Sequence, residues 1–509
     1  MGSAMATVDS DLSCDVLVVG GGVNGTGIAR DAAGRGLSVV LCEQDDLASH
    51  TSSNSTKLVH GGLRYLEHYE FRLVRSALGE RELLLDAAPH IMWPLRFVMP
   101  HAPHLRPMWL LRAGLFLYDN LARRRRLAGS SAIDFRNHPA GRPLRDTFRR
   151  GFVYSDGWVD DARLVTLCAV DAAERGATVL TRTRCQSLAA VDGRWQATLV
   201  DRAGRKTRVM ARAVVNAAGP WAASFAGSIA PGPARHRMRL VKGSHVVVPR
   251  IFDHPFAYIF QNEDRRIIFA IPYEGDFTLI GTTDVDYDAE PSAVSIQPAE
   301  IDYLCANASR YFKRPVRAKD VVWTYAGVRP LLDDESSDAS EVTRDYVLEL
   351  ENGQSPPLLS VFGGKITTFR KLAEEAVNRL APLLGSNAPP WTVHTVLPGG
   401  DLPGRDYDTF VKQLAASHAW LPEGLRRRYA RAYGTRIDML LGTATSLAEL
   451  GEEVLPGLHV AEIRYLQDRE WAMTAHDILW RRSKLGLHVP AGSEARLDDW
   501  LRAHRTKED

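Results

Sequence analysis

Gly20, Gly22 and Gly25 are the first residues of the chain whose type and spacing point to chemistry. Glycines at this spacing allow a tight turn, let the backbone approach a pyrophosphate and let the next helix pack closely on a strand. The N-terminal N–H groups of that helix then face the phosphates. Glu43 follows about 20 residues later, where a carboxylate accepts hydrogen bonds from ribose hydroxyls. The spacing predicts a dinucleotide site and does not distinguish NAD from FAD.

Two later segments favour FAD. Residues 213–219, which end in Ala218 and Gly219, form an apolar run typical of a further strand of the same sheet. Gly363 and Gly364 look like a second glycine loop, which opens a helix that points at a flavin ring. A simple nicotinamide dehydrogenase does not ordinarily end its nucleotide domain with such a loop. The pattern therefore predicts a flavin domain that is split by insertions.

A loop between residues 47 and 65 is rich in hydroxyl side chains and glycine. This composition suits a segment that packs its backbone against a planar ring and phosphates. The candidate cofactor contacts outside the first glycine motif are Ser53, Lys57, Gly61, Gly62, Ala218, Gly219, Gly363, Gly364 and Thr367.

The hydrophobic pattern predicts the elements that position these residues. An apolar run at 15–19, a helical stretch at 24–35 and a second strand at 37–43 form a βαβ unit. Alternating residues between 238 and 330 favour antiparallel strands. Proline and glycine residues near 388–404 mark a boundary, beyond which helix formers dominate.

The predicted fold class is therefore α/β, with a split Rossmann-like FAD-binding domain, an antiparallel substrate domain and a helical C-terminal domain. The predicted segments are the FAD-binding domain, first part (12–75), a mostly helical insertion (76–150), the FAD-binding domain, second part (151–235), the antiparallel substrate domain (236–330), the FAD-binding domain, final part (331–390), and the helical C-terminal domain (391–509).

Composition excludes several classes of protein. The 509 residues are 45% hydrophobic and 24% charged, as in ordinary soluble folds. Lys+Arg minus Asp+Glu is 63 − 61 = +2, so no global field indicates a nucleic-acid partner. The five cysteines lie far apart without a CxxC pair, which argues against a disulfide framework, an iron–sulfur cluster or a c-type haem. The N-terminal residues lack a signal-peptide pattern and no 18 consecutive residues are apolar, so we expect neither export nor a membrane span.

Two patterns that resemble metal sites fail on inspection. Asp284, Asp286 and Asp288 begin like a calcium loop, but the glycine and glutamate that such a loop requires are missing. His101 and His104 lack a third ligand nearby. We expect no metal site.

Several motifs together resemble the aerobic FAD-dependent glycerol-3-phosphate dehydrogenases, members of the amino-acid-oxidase-like flavoprotein superfamily. The resemblance covers nearly the whole chain. It departs at the extreme N-terminus, beyond about residue 487, and at residues 55–57, where the family more often has two serines before the lysine. We expect none of these departures to touch the reaction centre. The motifs lie at residues 15–25, 60–72, 243–245, 323–330, 343–345, 363–370 and 479–486.

The resemblance implies a site for a phosphorylated polyol. A phosphomonoester dianion is best held by guanidinium groups with bidentate geometry, and lysine supplies a point charge. Carried over to this sequence, the substrate-binding residues are Arg64, Tyr65, Arg329 and Arg344, and the catalytic residues are His245 and Lys365.

The resemblance further implies oxidation of sn-glycerol 3-phosphate to dihydroxyacetone phosphate, with hydride transfer from C2 to FAD. His245 is the first choice for the base that takes the hydroxyl proton, because its unperturbed pKa lies near the working pH. Lys365 is the alternative base. An oxidase that passes electrons to O₂ and forms hydrogen peroxide shares all these motifs and is the alternative function.

The resemblance to respiratory dehydrogenases implies a quinone as acceptor and a cytoplasmic, peripheral position on the inner face of the cytoplasmic membrane. Contact with the anionic membrane surface would then be monotopic. Residues 107–126, which combine aromatic residues with the run Arg123–Arg126, are one candidate surface, with burial an equally weighted alternative. The helix near 367–380 is a second candidate, for which packing on the sheet is favoured. A homodimer is left open.

Overall fold

The structure, a computed structural model, describes residues 10–229, 238–264, 266–332, 345–353 and 355–504, without the side chain of His68. Its helices are α1 (Val23–Gly34), α2 (Phe71–Ala87), α3 (Met108–Asn120), α4 (Asp161–Glu174), α5 (Ala222–Ile229), α6 (Pro298–Tyr311), α7 (Phe369–Leu380), α8 (Tyr407–Ser417), α9 (Glu423–Tyr433), α10 (Ile437–Leu441), α11 (Val460–Glu470) and α12 (Ser493–Ala503). A π-helix lies at Asp477–Arg482.

The strands are β1 (Ser10–Val19), β2 (Val39–Cys42), β3 (Leu58–Val59), β4 (Met92–Pro100), β5 (Ser131–Asp134), β6 (Arg150–Val159), β7 (Thr178–Leu180), β8 (Thr183–Val191), β9 (Arg194–Asp201), β10 (Lys206–Asn216), β11 (Met238–Pro249), β12 (Ala257–Gln261), β13 (Ile267–Tyr273), β14 (Phe277–Gly281), β15 (Val285–Asp286), β16 (Trp323–Leu332), β17 (Tyr346–Glu351), β18 (Leu358–Gly363), β19 (Glu453–Leu455) and β20 (Leu458–His459).

The first sheet carries the glycine motifs. Its strand order is β17-β18-β10-β1-β2-β7, in which β18, β10, β1, β2 and β7 run parallel, and the hairpin β8–β9 extends it from β10. Helices α1, α4 and α7 cover one face of this sheet, and the strand residues in the core beneath them are apolar. The βαβ unit and the late return of the chain at β18 agree with the sequence prediction.

The second sheet is mostly antiparallel, in the order β15-β11-β14-β13-β12-β4-β6-β3, with β16 on β11 and β5 on β6. Helix α6 packs against one face and helices α2 and α3 lie over the other. Alternating side chains from β11 and β16 therefore face either α6 or the domain that contains the first sheet, which we call the first domain.

The structure corrects two segment assignments. Segment 76–150, expected to be mostly helical, contains part of α2 and all of α3 but also β4 and β5 of the second sheet. Strand β6, expected in the FAD-binding domain, pairs along its whole length with β4. The reason is that residues 97–100 at the end of β4 are all buried, so this part of the strand lacks the alternation that identifies a strand.

The C-terminal segment is helical, as expected, and is joined to the first domain by buried ion pairs. Asp46, which is 2% exposed, contacts Arg481 at 2.7 Å and Arg482 at 2.5 Å. Arg163 of α4 pairs with Glu470 of α11. Among the described residues, no helix has the length and apolar character needed to cross a bilayer.

Candidate active site

The first glycine motif lies in the turn between β1 and α1, and its three glycines serve different purposes. A Cβ on Gly20, whose φ is +115°, would lie 2.4 Å from the carbonyl oxygen of Ala217. A Cβ on Gly25 would lie 1.9 Å from the carbonyl oxygen of Gly20. Gly22 has room, because its Cβ would meet only Ser52 Oγ, at 3.1 Å. Gly20 and Gly25 therefore permit close packing, whereas Gly22 presents its backbone to the space beside it.

Glu43 follows β2 and points back at the glycine turn. Its Oε2 accepts a hydrogen bond from the Gly21 N–H at 2.6 Å, and its Oε1 accepts one from the Asp45 N–H at 2.9 Å. Burial raises the pKa of the Glu43 carboxyl, and the two N–H donors oppose that shift. The carboxylate is thus fixed where β2 ends.

A cavity of about 1200 Å³ opens beside these groups. The predicted residues that line it are Gly20, Gly22, Glu43, Ala218 and Gly219. His50, Ser52 and Trp221 also line it and were not predicted from the sequence. The Ser52 hydroxyl accepts from the Val23 N–H at 3.0 Å. Only the hydroxyl-rich character of residues 49–55 pointed to this wall.

The second glycine loop meets the start of α1. Gly363 and Gly364 have φ of +76° and +104°. Asn24 Nδ2 donates to the Gly363 carbonyl at 3.1 Å, and a Cβ on Gly364 would lie 2.8 Å from the same nitrogen. Thr367 Oγ1 accepts from the His60 N–H at 3.2 Å. The second glycine loop therefore lies against the start of α1, and the loop at residues 60–62 contacts Thr367, just after that glycine loop.

This arrangement fits an extended FAD. The cavity at the ends of the parallel strands provides a carboxylate and a helix N-terminus for one half of such a ligand. The glycine loops at positions 61–62 and 363–364 do not line this cavity, and their contact with the other half of the ligand stays a prediction. Gly61 and Gly62 are further fixed, because the Gly61 N–H donates to Tyr118 Oη at 2.9 Å and a Cβ on Gly62 would lie 2.2 Å from the Tyr65 ring.

Lys57 is fully occupied by protein groups. Its Nζ donates to Asp161 at 2.7 Å and to the Ser53 carbonyl at 3.0 Å, and the residue is 1% exposed. Burial lowers its pKa, and Asp161 opposes that change. Lys57 therefore shapes the loop that carries Ser53, and its charge is balanced inside the protein.

His245 lies on β11, where the sheet holds its imidazole from two sides. The ring stacks on Tyr325 of β16, with centroids 4.6 Å apart and planes at 15°. Nε2 lies 3.0 Å from Thr56 Oγ1. On the other side is Gly281, whose Cβ would lie 2.1 Å from the ring. Burial lowers the pKa of His245 well below its usual 6.5, and the cations Lys57 and Arg329 lower it further.

The position of Thr56 shows that one expectation from the sequence was wrong. The departure from the family pattern at residues 55–57 does touch the proposed reaction centre, because Thr56 is the hydrogen-bond partner of His245. The hydroxyl that a serine would offer is kept. A methyl group is added to a half-buried side chain.

Arg329 lies on the same sheet face as His245. The pairing of β11 with β16 places His245 opposite Tyr325, Gly243 opposite Gly327 and Val241 opposite Arg329. A Cβ on Gly243 would lie 2.6 Å from Arg329 Nη2, and a Cβ on Gly327 would lie 2.8 Å from Asn54 Cβ. The two glycines therefore let the guanidinium and Asn54 pack directly on the sheet. Arg329 also pairs with Asp284 at 2.7 Å and donates to the Thr283 carbonyl at 2.8 Å.

The remaining predicted residues lie around the loop after β3. Lys365 Nζ lies 4.1 Å from the centre of the Tyr65 ring. Arg64 is half-buried in the 3₁₀ segment Leu63–His68. Arg344 lies outside the described residues.

Comparison with known proteins agrees with this geometry. Residues 15–370 match the family model of FAD dependent oxidoreductases, and residues 391–499 match the C-terminal domain of alpha-glycerophosphate oxidase. Glycerol-3-phosphate dehydrogenase of Pseudomonas aeruginosa is 53% identical over 490 residues, which cover 96% of this chain and 95% of that protein. The chain belongs to the FAD-dependent glycerol-3-phosphate dehydrogenase family. The family, the fold class and the cofactor FAD predicted from the sequence are thereby confirmed.

Two other relatives have similar sequence identity to this chain. The aerobic glycerol-3-phosphate dehydrogenase of Escherichia coli (strain K12) is 50% identical, with 96% of this chain and 97% of that protein covered. D-erythritol 1-phosphate dehydrogenase of Brucella abortus is 51% identical, with coverage of 96% and 98%. The structure of glycerol-3-phosphate dehydrogenase from Bacillus halodurans, complexed with FAD, superposes with a TM-score of 0.75 at 27% identity and covers 96% of this chain and 94% of that one.

Proposed function

We propose that this protein oxidises sn-glycerol 3-phosphate to dihydroxyacetone phosphate, with a membrane quinone as the electron acceptor. The observation that carries the proposal is the sheet face on which a neutral, buried His245 and the guanidinium of Arg329 flank a pair of glycines. This face offers a proton acceptor and an anion-binding group on the same side of the sheet. The similar proteins named glycerol-3-phosphate dehydrogenase support the choice of substrate.

The phosphate is held by the basic groups around this face. Arg329 offers a guanidinium group whose Asp284 partner keeps it oriented, and the substrate phosphate would compete with that carboxylate. Lys365, Arg64 and Arg344 are the further candidates, which we retain from the family resemblance. Tyr65 packs its ring beside Lys365 and holds that side chain in place.

The hydroxyl proton leaves through Thr56 and His245. FAD, when bound, supplies the hydride acceptor for the C2 hydrogen. His245 is only 2% exposed, so direct contact with the substrate is blocked, whereas Thr56 is half-buried. We therefore assign to Thr56 the role of passing the substrate proton to His245 Nε2, which accepts from the threonine hydroxyl. Lys365 is the alternative base.

Anaerobic titration of the holoenzyme with sn-glycerol 3-phosphate tests the proposal. We expect full bleaching of the flavin absorption, and no bleaching by unphosphorylated glycerol at the same concentration. D-Erythritol 1-phosphate is the comparison substrate, because a relative that is 51% identical in sequence is named D-erythritol 1-phosphate dehydrogenase. A higher kcat/KM for D-erythritol 1-phosphate would overturn the substrate assignment but keep the reaction class. No bleaching by either phosphate would overturn both.

Substitution of Arg329 by lysine tests the phosphate site. Lysine keeps the charge but loses the second hydrogen bond of the guanidinium fork. A charge-assisted hydrogen bond contributes about 1.5–3 kcal/mol, so we expect kcat/KM for glycerol 3-phosphate to fall about 10- to 150-fold. Arg239 is a matched control, because it pairs with Asp286 on the neighbouring strands as Arg329 pairs with Asp284. Equal effects of Arg329→Lys and Arg239→Lys would contradict the assignment.

The surface of α3 supports contact with a membrane that contains the quinone. Trp109 and Phe116 are 72% and 63% exposed, and Arg123 and Arg125 nearby are also exposed. Aromatic residues can enter the lipid interface, while arginines attract anionic headgroups. The other candidate, α7, packs its apolar face inside the first domain, and its Arg370 pairs with Glu80. We therefore assign the membrane contact to α3.

Cosedimentation with anionic vesicles tests this surface. We expect binding that weakens with salt and is lost in the double variant Trp109→Ser, Phe116→Ser. Each arginine near anionic lipid contributes about 1 kcal/mol, so changing Arg123 and Arg125 to serine should weaken binding about 30-fold. Met439→Ser is the control, because Met439 is 49% exposed on α10. We expect rapid turnover with a ubiquinone analogue and little peroxide. Absence of vesicle binding together with fast O₂ reduction would favour the oxidase.

A further inference from the structure

A continuous stack of aromatic rings connects the C-terminal helical segment to His245. Trp480 stacks on Trp323, with centroids 4.5 Å apart and planes at 18°. Trp323 contacts Tyr325 at 5.1 Å, and Tyr325 stacks on His245 at 4.6 Å. Trp323, Tyr325 and His245 belong to adjacent strands, whereas Trp480 comes from the π-helix. We call these four residues the aromatic stack.

Hydrogen bonds alone leave the imidazole of His245 weakly restrained. Nε2 has the Thr56 hydroxyl, and Nδ1 has no hydrogen-bond partner among the residues that the structure describes. Rotation of the ring is therefore limited by the surfaces on its two sides, the backbone of Gly281 and the ring of Tyr325. If the Tyr325 ring moved, the imidazole could turn away from Thr56.

Tyr325 holds the partner of His245 as well as His245 itself. Its hydroxyl donates to the Ser55 carbonyl at 2.8 Å, one residue before Thr56. Lys57 Nζ lies 5.1 Å from the centre of its ring. The ring thus fixes the loop that supplies the threonine hydroxyl and the imidazole that accepts from it.

Trp480 is itself held on several sides. A Cβ on Gly486 would lie 2.5 Å from its indole ring, so that glycine packs flat against it. Its Nε1 donates to Glu494 at 3.2 Å. The next residues, Arg481 and Arg482, are tied to Asp46 of the first domain. Trp480 lies in the π-helix Asp477–Arg482, and π-helical turns are frequent at functional sites.

We propose that the C-terminal segment sets the orientation of His245 through the aromatic stack, with Trp480 and Tyr325 as positioning residues for the proton-transfer step. The proposal rests on the proposed role of His245 as base. A base that turns away from its donor by a fraction of an ångström loses rate without losing substrate affinity, because the Arg329 guanidinium is held separately by Asp284 and the Thr283 carbonyl.

The test compares Trp480→Leu, Trp480→Phe and Trp500→Leu in the holoenzyme. Trp500 is a matched control, since it also lies in the C-terminal segment, stacks on a histidine and donates to a glutamate. The measurements are the limiting rate of flavin reduction, the Kd of glycerol 3-phosphate, and the ¹⁵N signals of His245 in protein labelled at histidine, assigned with His245→Gln.

We expect Trp480→Leu to lower the limiting rate about 10-fold with Kd changed less than about twofold, since misplacement by about 1 Å costs up to 10²-fold. Trp480→Phe should recover most of the rate, because it keeps a stacked ring. The ¹⁵N signals of His245 should shift in Trp480→Leu and not in Trp500→Leu.

Equal rates and unchanged His245 signals in Trp480→Leu and Trp500→Leu would overturn the inference. That outcome is distinct from failure of the base assignment, in which His245→Ala itself would retain the parental rate. If Trp480→Leu does not fold, Trp323→Leu and Trp323→Phe replace it, because Trp323 contacts both Trp480 and Tyr325. A lower rate and shifted His245 signals in Trp323→Leu alone support the inference, and a parental rate with parental signals in both variants overturns it.

Discussion

Replacing Gly22 by valine is expected to give a folded protein that no longer retains FAD. The Cβ at this position meets only the end of the Ser52 side chain, so the apoprotein has room for it. The added methyl groups would occupy the space where the backbone must approach the pyrophosphate. Loss of two charge-assisted hydrogen bonds, each about 1.5–3 kcal/mol, corresponds to about 10²- to 10⁴-fold weaker binding.

Flavin content after purification and FAD titration of the apoprotein measure this effect. Gly25→Val is the informative comparison, because its Cβ would collide with the Gly20 carbonyl and should lower the Tm of the apoprotein itself. Gly79→Ala, at a helical glycine with open space around it, is the neutral control. Stoichiometric FAD in purified Gly22→Val would disprove the cofactor role of this turn.

The second large effect is expected from His245→Ala, which should slow flavin reduction about 10²- to 10⁴-fold, as is usual for loss of a general base. The surroundings hold the pKa of His245 well below 6.5, so the imidazole is neutral and competent over the physiological range. Titration of His245 should therefore cause no change in the rate of flavin reduction from pH 6.5 upward. It should fall only when the pH drops through the lowered pKa, and this acid limb should vanish in His245→Ala.

Thr56 provides the matched pair for this experiment. Thr56→Val keeps the shape and removes the hydroxyl, so it should lower the rate about 10- to 100-fold if the proton passes through Thr56. Thr56→Ser keeps the hydroxyl and should stay near the parental rate. Stopped-flow flavin reduction with glycerol 3-phosphate measures all three variants. A parental rate in His245→Ala would assign the proton to Lys365 or to water.

The sequence predicted those parts of the molecule whose structure depends on contacts between residues close together in the chain. The turn at Gly20 and the strand that precedes it are of this kind, because the glycine spacing and the apolar run lie within one βαβ unit. The helical C-terminal segment was similarly predictable from its composition.

Contacts between distant segments escaped the sequence analysis. The Thr56 hydroxyl reaches His245 across 189 positions, and no local pattern marks that pair. Arg329 was expected as a phosphate ligand, but its pairing with Asp284 follows only from how β16 and the segment after β14 come together. Strand β4 was missed because the uniform burial of residues 97–100 removes the period of two on which strand prediction depends.

The tie between Asp46 and Arg482 spans 436 positions, and this separation has a consequence for how the chain is made. Ribosomes add about 5–20 residues per second, so Asp46 is synthesised about 20–90 s before Arg481 and Arg482. During that interval Arg182 is the one arginine partner of Asp46 among the described residues that has already been made. The loop that follows Glu43, which forms one wall of the cavity, can reach its final packing only after Arg481 and Arg482 have been synthesised. Nascent chains arrested before residue 477 should thus carry the glycine turn but not its finished surroundings.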